Sequence, residues 1–499
     1  MTAEQNAQIN PRRLFLGSNF ALIATAVAFA VVGAIMGALK EQFVLTNEEV
    51  GWIGGAALWG FSVTILIFGP LCDVLGMKFI LRLALLGQAL GVILMIFAGG
   101  FTMLFIGALI LSMGNGLVEA ACNPLVATIY PEKKTEMLNK FHVWFPGGIV
   151  IGGLISFLLD TIGIGFWQIK LLVILIPAVI YGFMFTGQTF PATERKQAGI
   201  TGKEMVTGTF LRPFMWLLLF CMMMTASVEL GPNRWIPAVL ESAGIPGILV
   251  LVWISGLMAV LRYYAGPVVH RLSPTGILFA SAIVSGIFLY WLSWTNTLFE
   301  AILAGTGFAI GVCYFWPTMI GVTSERVPKG GALALALMGG VGMIIVGLVT
   351  SPIMGDIADT YLHEKLPVDG TKTVMMQIVD DYPALKAADE EKKAADYDAA
   401  INAARGVLAD LEASGSLPDI KTANAMRSAI AVAPTSEPAK AAKKILGPAE
   451  NYGGKISFRR VAPLTIILAI IFGILYFRDR RKGGYQVEKL ETAAEATGA

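Results

Sequence analysis

The chain has 499 residues, 56% of them hydrophobic and 14% charged, with a net charge of +2. Soluble domains carry about 25% charged residues, so this composition excludes an ordinary soluble domain and points to the membrane. The near-neutral balance gives no reason to expect nucleic acid or another polyanion as a partner.

Arg12 and Arg13 precede an apolar span over residues 14–39 with no small-residue cleavage site, which predicts an uncleaved first membrane helix. Five more spans are expected over residues 50–71, 79–98, 101–130, 141–163 and 166–187. A polar stretch from Gln188 to Arg212 follows, and then spans over 213–239, 246–270, 275–295, 298–323, 331–356 and 461–478. Most approach or exceed the roughly 20 apolar residues that cross a bilayer. The expected organisation is a six-helix half over 1–187, a linker over 188–212, helices seven to eleven over 213–360, an insertion over 361–460, helix twelve over 461–478 and a tail over 479–499. Cys72, Cys122, Cys221 and Cys313 fall in or beside these spans without metal-ligand or disulfide spacing and are expected to pack as small apolar residues.

Short-loop Lys and Arg favour the cytoplasm. Arg12/Arg13, Lys78/Arg82, Lys133/Lys134/Lys140, Arg195/Lys196/Lys203/Arg212, Arg271, Arg326/Lys329 and Arg478/Arg480/Arg481/Lys482 all fall on one side. Both termini and the linker are therefore expected in the cytoplasm of a bacterial inner membrane, with the insertion outside.

An internal repeat supports the six-plus-six division. Gly69-Pro70, Asn123-Pro124 and Gly147-Gly148 have counterparts in Gly266-Pro267, Trp316-Pro317 and Gly339-Gly340 at offsets that nearly agree. Many secondary transporters are built from such repeats, with the solute site at midplane between the halves.

Glu119 is the residue that most needs a reason. A carboxylate inside a membrane helix costs about 2.5–3.5 kcal/mol and is expected to face a partner or a wet cavity. Asn123 shares its helix face one turn on, and Pro124 removes a backbone hydrogen bond beside them. A polar solute asks for hydroxyl partners, with Asn115, Glu119, Asn123, Gln88, Glu229 and Asn233 as candidates. It also asks for flat faces, with Trp144, Trp235, Tyr314 and Trp316 as candidates. Glu229 and Asn233 lie in the seventh span, which Gly231, Pro232 and Pro237 interrupt, and broken helices often line such paths. Arg262 lies at a depth matching Glu119 on the opposite half, so the two are expected to meet. His142 could titrate near neutral pH or serve as a hydrogen-bonded structural residue.

Gly69-x3-Asp73-x2-Gly76-x-Lys78 resembles the loop signature of the major facilitator superfamily, with Val74 where that signature usually has Arg. The resemblance implies the twelve-helix major facilitator fold and a latch formed by Gly69, Asp73, Gly76 and Lys78. Glu119-x3-Asn123-Pro124, Leu138-Asn139-x2-His142-x3-Pro146-x-Gly148, Arg262-x3-Gly266 and Trp316-Pro317-Thr318 resemble the fucose–galactose–proton symporter family. That implies ion-coupled sugar uptake; Glu119, Arg262 and His142 are expected in ion coupling because they are charged or titratable groups within the helices. The first span lacks the family's acid and His142 stands where the family has Gln, so proton and sodium both stay open as coupling ions.

In the insertion, Tyr397, Ile401, Ala404, Leu408 and Leu411 repeat at helical spacing, and residues 422–432 and 438–445 suggest two more short helices. A small helical cap, dispensable for flux but able to meet a protein partner, is expected there. No hydrolytic triad, phosphate loop or metal-ligand cluster appears, so neither enzyme, cofactor nor metal is expected. The expectation is a monomeric carrier of a sugar or similar polyhydroxylated solute. The alternatives are a carrier or exporter of a lipid-like or ionic solute, or a transceptor that senses solute through the insertion.

Overall fold

The computed structural model describes residues 9–488 and 490, except 44, 46 and 389–393. Among the described residues eleven helices are long and apolar enough to cross a membrane, and a shorter apolar helix makes twelve. They are α1 Pro11–Lys40, α2 Glu49–Leu75, α3 Met77–Ile96, α4 Phe101–Ile129, α5 Pro131–Thr161, α6 Trp167–Phe185, α7 Pro213–Glu241, α8 Gly247–Tyr263, α9 Ala265–Leu292, α10 Leu298–Arg326, α11 Pro328–His363 and α12 Glu437–Arg481. α9 carries a sharp break at Ser273, whose φ of 62° lies outside the helical range. The break divides the element, and Pro274 starts its second part.

Several spans are interrupted where proline removes a helical donor. A proline frees the carbonyl four residues earlier, because its nitrogen carries no hydrogen. In α5 the helix Lys134–Phe141 gives way at His142 and restarts at Trp144, just before Pro146. In α10 the helix stops after Val312 and restarts at Phe315, just before Pro317. α4 runs straight through Pro124, and the Cys72 thiol of α2 donates to the freed carbonyl of Ala120 at 3.2 Å.

Glycine lets the helices inside each half approach closely. A Cβ at Gly114 of α4 would sit 2.7 Å from the Gln88 backbone nitrogen of α3. Gly311 of α10 makes the corresponding close approach to Ser285 of α9. A packed core of Leu, Ile, Val, Met and Phe side chains from α1 to α12 surrounds these crossings.

The linker carries two short helices, Glu194–Gln197 and Gly202–Phe210. Thr201 and Glu204 form a capping box that starts the second.

The segment between α11 and α12 is helical, with Val368–Ala388, Ala394–Ser414 and Asp419–Val432. The expected seam is buried at Tyr397, Ile401, Ala404 and Leu411, and its first three residues pack with Met375, Ile378, Tyr382 and Met426 in a core of its own. Two features differ from the sequence reading. Val368–Ala388 was not expected as a helix, since its apolar positions are sparse and Pro383 interrupts them. The short helix expected over 438–445 is the start of α12, which has 45 residues. α12 is two helices, Glu437–Val461 and Leu464–Arg481, that meet at Ala462 and Pro463, and at 1.5 Å per residue its parts together rise about 68 Å, more than twice the ~30 Å hydrocarbon core. Its first part therefore stands outside the membrane beside the end of α11 and carries the cap. Asn451 donates to the Val239 carbonyl at 2.6 Å and Lys455 to Asn296 at 3.0 Å. Arg427 bridges Asp359 and Glu450, each at 2.9 Å. The cap sits at the end of the bundle opposite the linker.

Candidate functional site

Arg262 is the centre of the buried polar cluster. It lies near the end of α8 and is 2% exposed. Its Nε donates to the Cys313 carbonyl at 2.5 Å and its Nη1 to the His142 carbonyl at 3.0 Å. These two carbonyls stand four residues before Pro317 and Pro146, so they are the acceptors that the prolines free. Its Nη2 binds Glu229 Oε1 of α7 at 2.8 Å. One guanidinium thus joins α5 of the first half to α7, α8 and α10 of the second.

The expected pairing of Arg262 with Glu119 is therefore corrected: Glu229 is the carboxylate on Arg262. Matching depth put Glu119 and Arg262 on one level, but α7 lies nearer to α8 at that level than α4 does. Glu119 instead accepts from Asn123 Nδ2 at 2.6 Å and lies 3.6 Å from His142 Nε2. His142 Nδ1 is 2.9 Å from the Leu138 carbonyl, which makes Nδ1 the donor and aims Nε2 at the carboxylate. A chain of polar groups results, from Glu119 through His142 to Arg262 and Glu229. Several of its buried acceptors lack a protein partner: Asn123 Oδ1, Glu229 Oε2 and Asn233 Oδ1, with Asn19 Oδ1 on α1 as a further case. His142 Nε2 also makes no hydrogen bond. Sequence reading missed Asn19, and the unusual feature that could have marked it is an amide inside an otherwise apolar first helix.

The remaining candidates divide. Asn115 accepts from Gln88 at 2.9 Å, and Gln88 accepts from Tyr181 at 2.9 Å, so both amides belong to a network inside the first half. Tyr314 and Trp316 are buried beside Arg262's carbonyl partner at the α10 break, with Tyr314 Oη donating to the Leu261 carbonyl at 3.0 Å. The Trp316 ring lies over Gly342 of α11, where a Cβ would be 2.8 Å from it. Trp144 is half-buried at the restart of α5, and Asn233 half-buried in α7. Trp235 lies against Gly355 near the cap, away from the cluster.

The cation-rich end of the bundle is clasped. Asp73 binds Arg195 of the linker, with Arg195 Nε at 2.7 Å, and accepts from Thr193 Oγ1. Gly76 adopts φ 80°, which turns the chain into α3, and Lys78 Nζ caps the Gln188 carbonyl at 2.6 Å. Gly69 meets Ala336 of α11 directly. The repeat copy behaves alike: Gly266 lies against Glu136 of α5, and His270 Nε2 is 3.5 Å from that carboxylate. Glu325 of α10 accepts from the backbone and hydroxyl of Thr135 of α5 at 3.0 and 2.8 Å. Tyr485 of the tail donates to its other oxygen at 2.8 Å. Burial first, then the Glu325 charge, holds the Tyr485 phenol well above its usual pKa, so it stays a donor. Arg212 and Glu488 tie the tail to the linker.

Twelve helices, a loop signature that binds the linker and an ionic chain shared by the halves coincide with a family-level match. The family model of the Major Facilitator Superfamily matches residues 19–361. The chain belongs to the Major Facilitator Superfamily. It is a multi-pass membrane transporter. Relatives of this superfamily member include the putative niacin/nicotinamide transporter NiaP of Bacillus subtilis, 21% identical over 367 residues, covering 69% of this chain and 90% of the relative. The glycerol-3-phosphate transporter of the same organism is 24% identical over 399 residues, covering 70% and 85%. Among solved structures, FucP in the outward conformation superposes with a TM-score of 0.57 at 19% identity, covering 69% of this chain and 92% of that one. The human organic anion transporter MFSD10 superposes at 0.58 and 14% identity, covering 70% and 94%. At these identities the superpositions show the major facilitator fold, including its likeness to FucP.

Proposed function

We propose that this transporter takes up a sugar or similar polyhydroxylated solute, driven by a proton or sodium gradient, through alternating access. The observation that carries the reading is the buried chain Glu119–His142–Arg262–Glu229, which crosses between the halves at the level where the prolines open α5 and α10. Breaking the Arg262–His142 bond separates the halves there, so loading that chain with a cation or solute is coupled to their movement. The open valences at Asn123, Glu229 and Asn233 are acceptors, which suits a solute rich in hydroxyl donors. Tyr314, Trp316 and Trp144 supply flat faces nearby for the C–H side of a ring.

Arg262 already has three acceptors, one of them a carboxylate. That weighs against a solute anion as its ordinary partner, although glycerol-3-phosphate appears in the name of a relative and organic anions in that of a structural neighbour. The clasped cation-rich end and the charge bias of the short loops support placing that end in the cytoplasm. The insertion is then outside, and both termini are inside.

The test is uptake by the purified protein in liposomes, with an inward proton gradient alone and then a sodium gradient alone. The panel holds monosaccharides, disaccharides and organic acids. Accumulation of a sugar under one gradient is expected. Accumulation confined to organic acids would overturn the solute class, and saturable binding without accumulation would replace the carrier by a sensor.

A further inference from the structure

We propose that a groove on the lipid-facing surface, between α9 and α12, holds one anionic diacyl phospholipid, with its phosphate on Arg478 and Arg481. The groove has a volume of about 1280 Å³. Ordinary small-molecule pockets enclose about 300–1,000 Å³, so this one is large, and it is also long. It runs along α12 from Arg459 to Arg481. At 1.5 Å per residue that is about 33 Å, close to the ~30 Å hydrocarbon thickness.

Its shape follows from residue size. Gly286 of α9 meets Thr465 of α12, and Gly473 of α12 meets the Phe279 ring of α9, so the two helices cross closely. The large side chains beside these crossings, among them Ile283, Ile287, Ile466 and Ile470, are exposed and form the walls.

The two ends differ in charge. At one end Arg459 is engaged: its Nε donates to Ser293 at 3.1 Å, and its guanidinium lies 3.7 Å from the Trp294 ring centre. At the other end Arg478 and Arg481 are exposed and line the groove. Among the described residues neither has a carboxylate partner. The nearest acid in sequence, Asp479, is buried and taken by Arg326 at 2.8 Å and Thr275 at 3.0 Å. The i,i+3 spacing puts both guanidiniums on one face of the last turn. An apolar slot the height of the bilayer, ending in two unpaired guanidiniums at headgroup level, matches a phospholipid with a negative headgroup. Cations at membrane helix ends are common for topological reasons alone. Arg480 and Lys482 are such neighbours, and they do not line the groove.

The experiment uses the full chain, delipidated in detergent and titrated with dioleoyl phosphatidylglycerol or dioleoyl phosphatidylcholine under native mass spectrometry. One retained phosphatidylglycerol, bound more tightly than phosphatidylcholine, is expected. Two cations near the surface together contribute roughly thirtyfold in affinity for an anionic lipid. R478Q/R481Q should therefore weaken phosphatidylglycerol binding by about that factor, and R480Q/K482Q should leave it nearly unchanged. Ala469→Trp, which fills the groove, should reduce binding of both lipids while the protein melts as the wild type does. Equal retention of the two lipids overturns the proposal. So does equal weakening by the two double variants, and so does a dimer mass in place of bound lipid, which would make a second copy the occupant.

Discussion

Replacing Arg262 by Met removes the guanidinium from a buried site. The variant strands the Glu229 carboxylate, whose Oε2 already lacks a partner, and leaves the freed carbonyl of Cys313 without its donor and that of His142 with only the Phe145 N–H at 3.4 Å. Removing one member of a buried ion pair costs about 3–5 kcal/mol. The unsatisfied Cys313 carbonyl adds about 1–3 kcal/mol if it stays buried and dry. Arg262→Met should therefore be among the most damaging single substitutions in the chain. The double variant Glu229→Leu, Arg262→Met removes both charges and should regain much of the loss, because the stranded carboxylate dominates it. The assay is a double-mutant cycle on urea unfolding in detergent, read by tryptophan fluorescence, with a coupling energy of at least ~2 kcal/mol expected. A cycle using Glu119→Gln in place of Glu229→Leu should show far weaker coupling. If coupling to Glu119 equals or exceeds coupling to Glu229, the assignment of Arg262's partner is wrong.

Four further outcomes are expected. Glu119→Gln should abolish gradient-driven accumulation while leaving solute exchange partly intact, and wild-type accumulation by this variant would make the carboxylate structural. Glu325→Ala should loosen the clasp, since hydrogen bonds to a charged group contribute about 1.5–3 kcal/mol each. A cysteine replacing buried Thr318 should then react with a membrane-permeant maleimide at least tenfold faster, and an unchanged rate would remove Glu325 from the gate. Joining His363 to Glu437 by a short Gly/Ser linker should preserve flux, and a folded carrier without transport would give the cap an essential role. Cysteines introduced at Ala395 and Glu194 should be labelled from outside and inside respectively, and the reverse pattern would invert the topology.

The spans were legible because twenty apolar residues in a row have few other uses, and the loop signature named the fold because Gly69, Asp73 and Gly76 each answer a backbone or charge requirement there. Long-range partners were not legible. Depth along a helix can be computed from residue number, but lateral position depends on how α7 packs against α8, which hydropathy does not encode. Glu229 stood among the candidates, yet nothing in its own stretch pointed to Arg262. Pro146 and Pro317 were the missed clue. Each frees a known carbonyl, and a buried guanidinium needs acceptors, so His142 and Cys313 could have been named from the chain alone. The length of α12 was hidden because its outer part is polar and reads as a loop until its packing on α11 is seen.

The cap has a mechanical consequence. Each of its anchors described above, at Val239, Asn296 and Asp359, lies on α7 to α11, and its base is α12 itself. It therefore moves as an oar blade fixed to the second half. The stretch Glu437–Val461 has 25 residues and is about 37 Å long. Each degree through which that half tilts displaces the far end of this stretch by about 0.6 Å. A motion that is small at Arg262 is thus enlarged outside the membrane, and a fluorophore on the cap would record the carrier's cycle without touching the solute path.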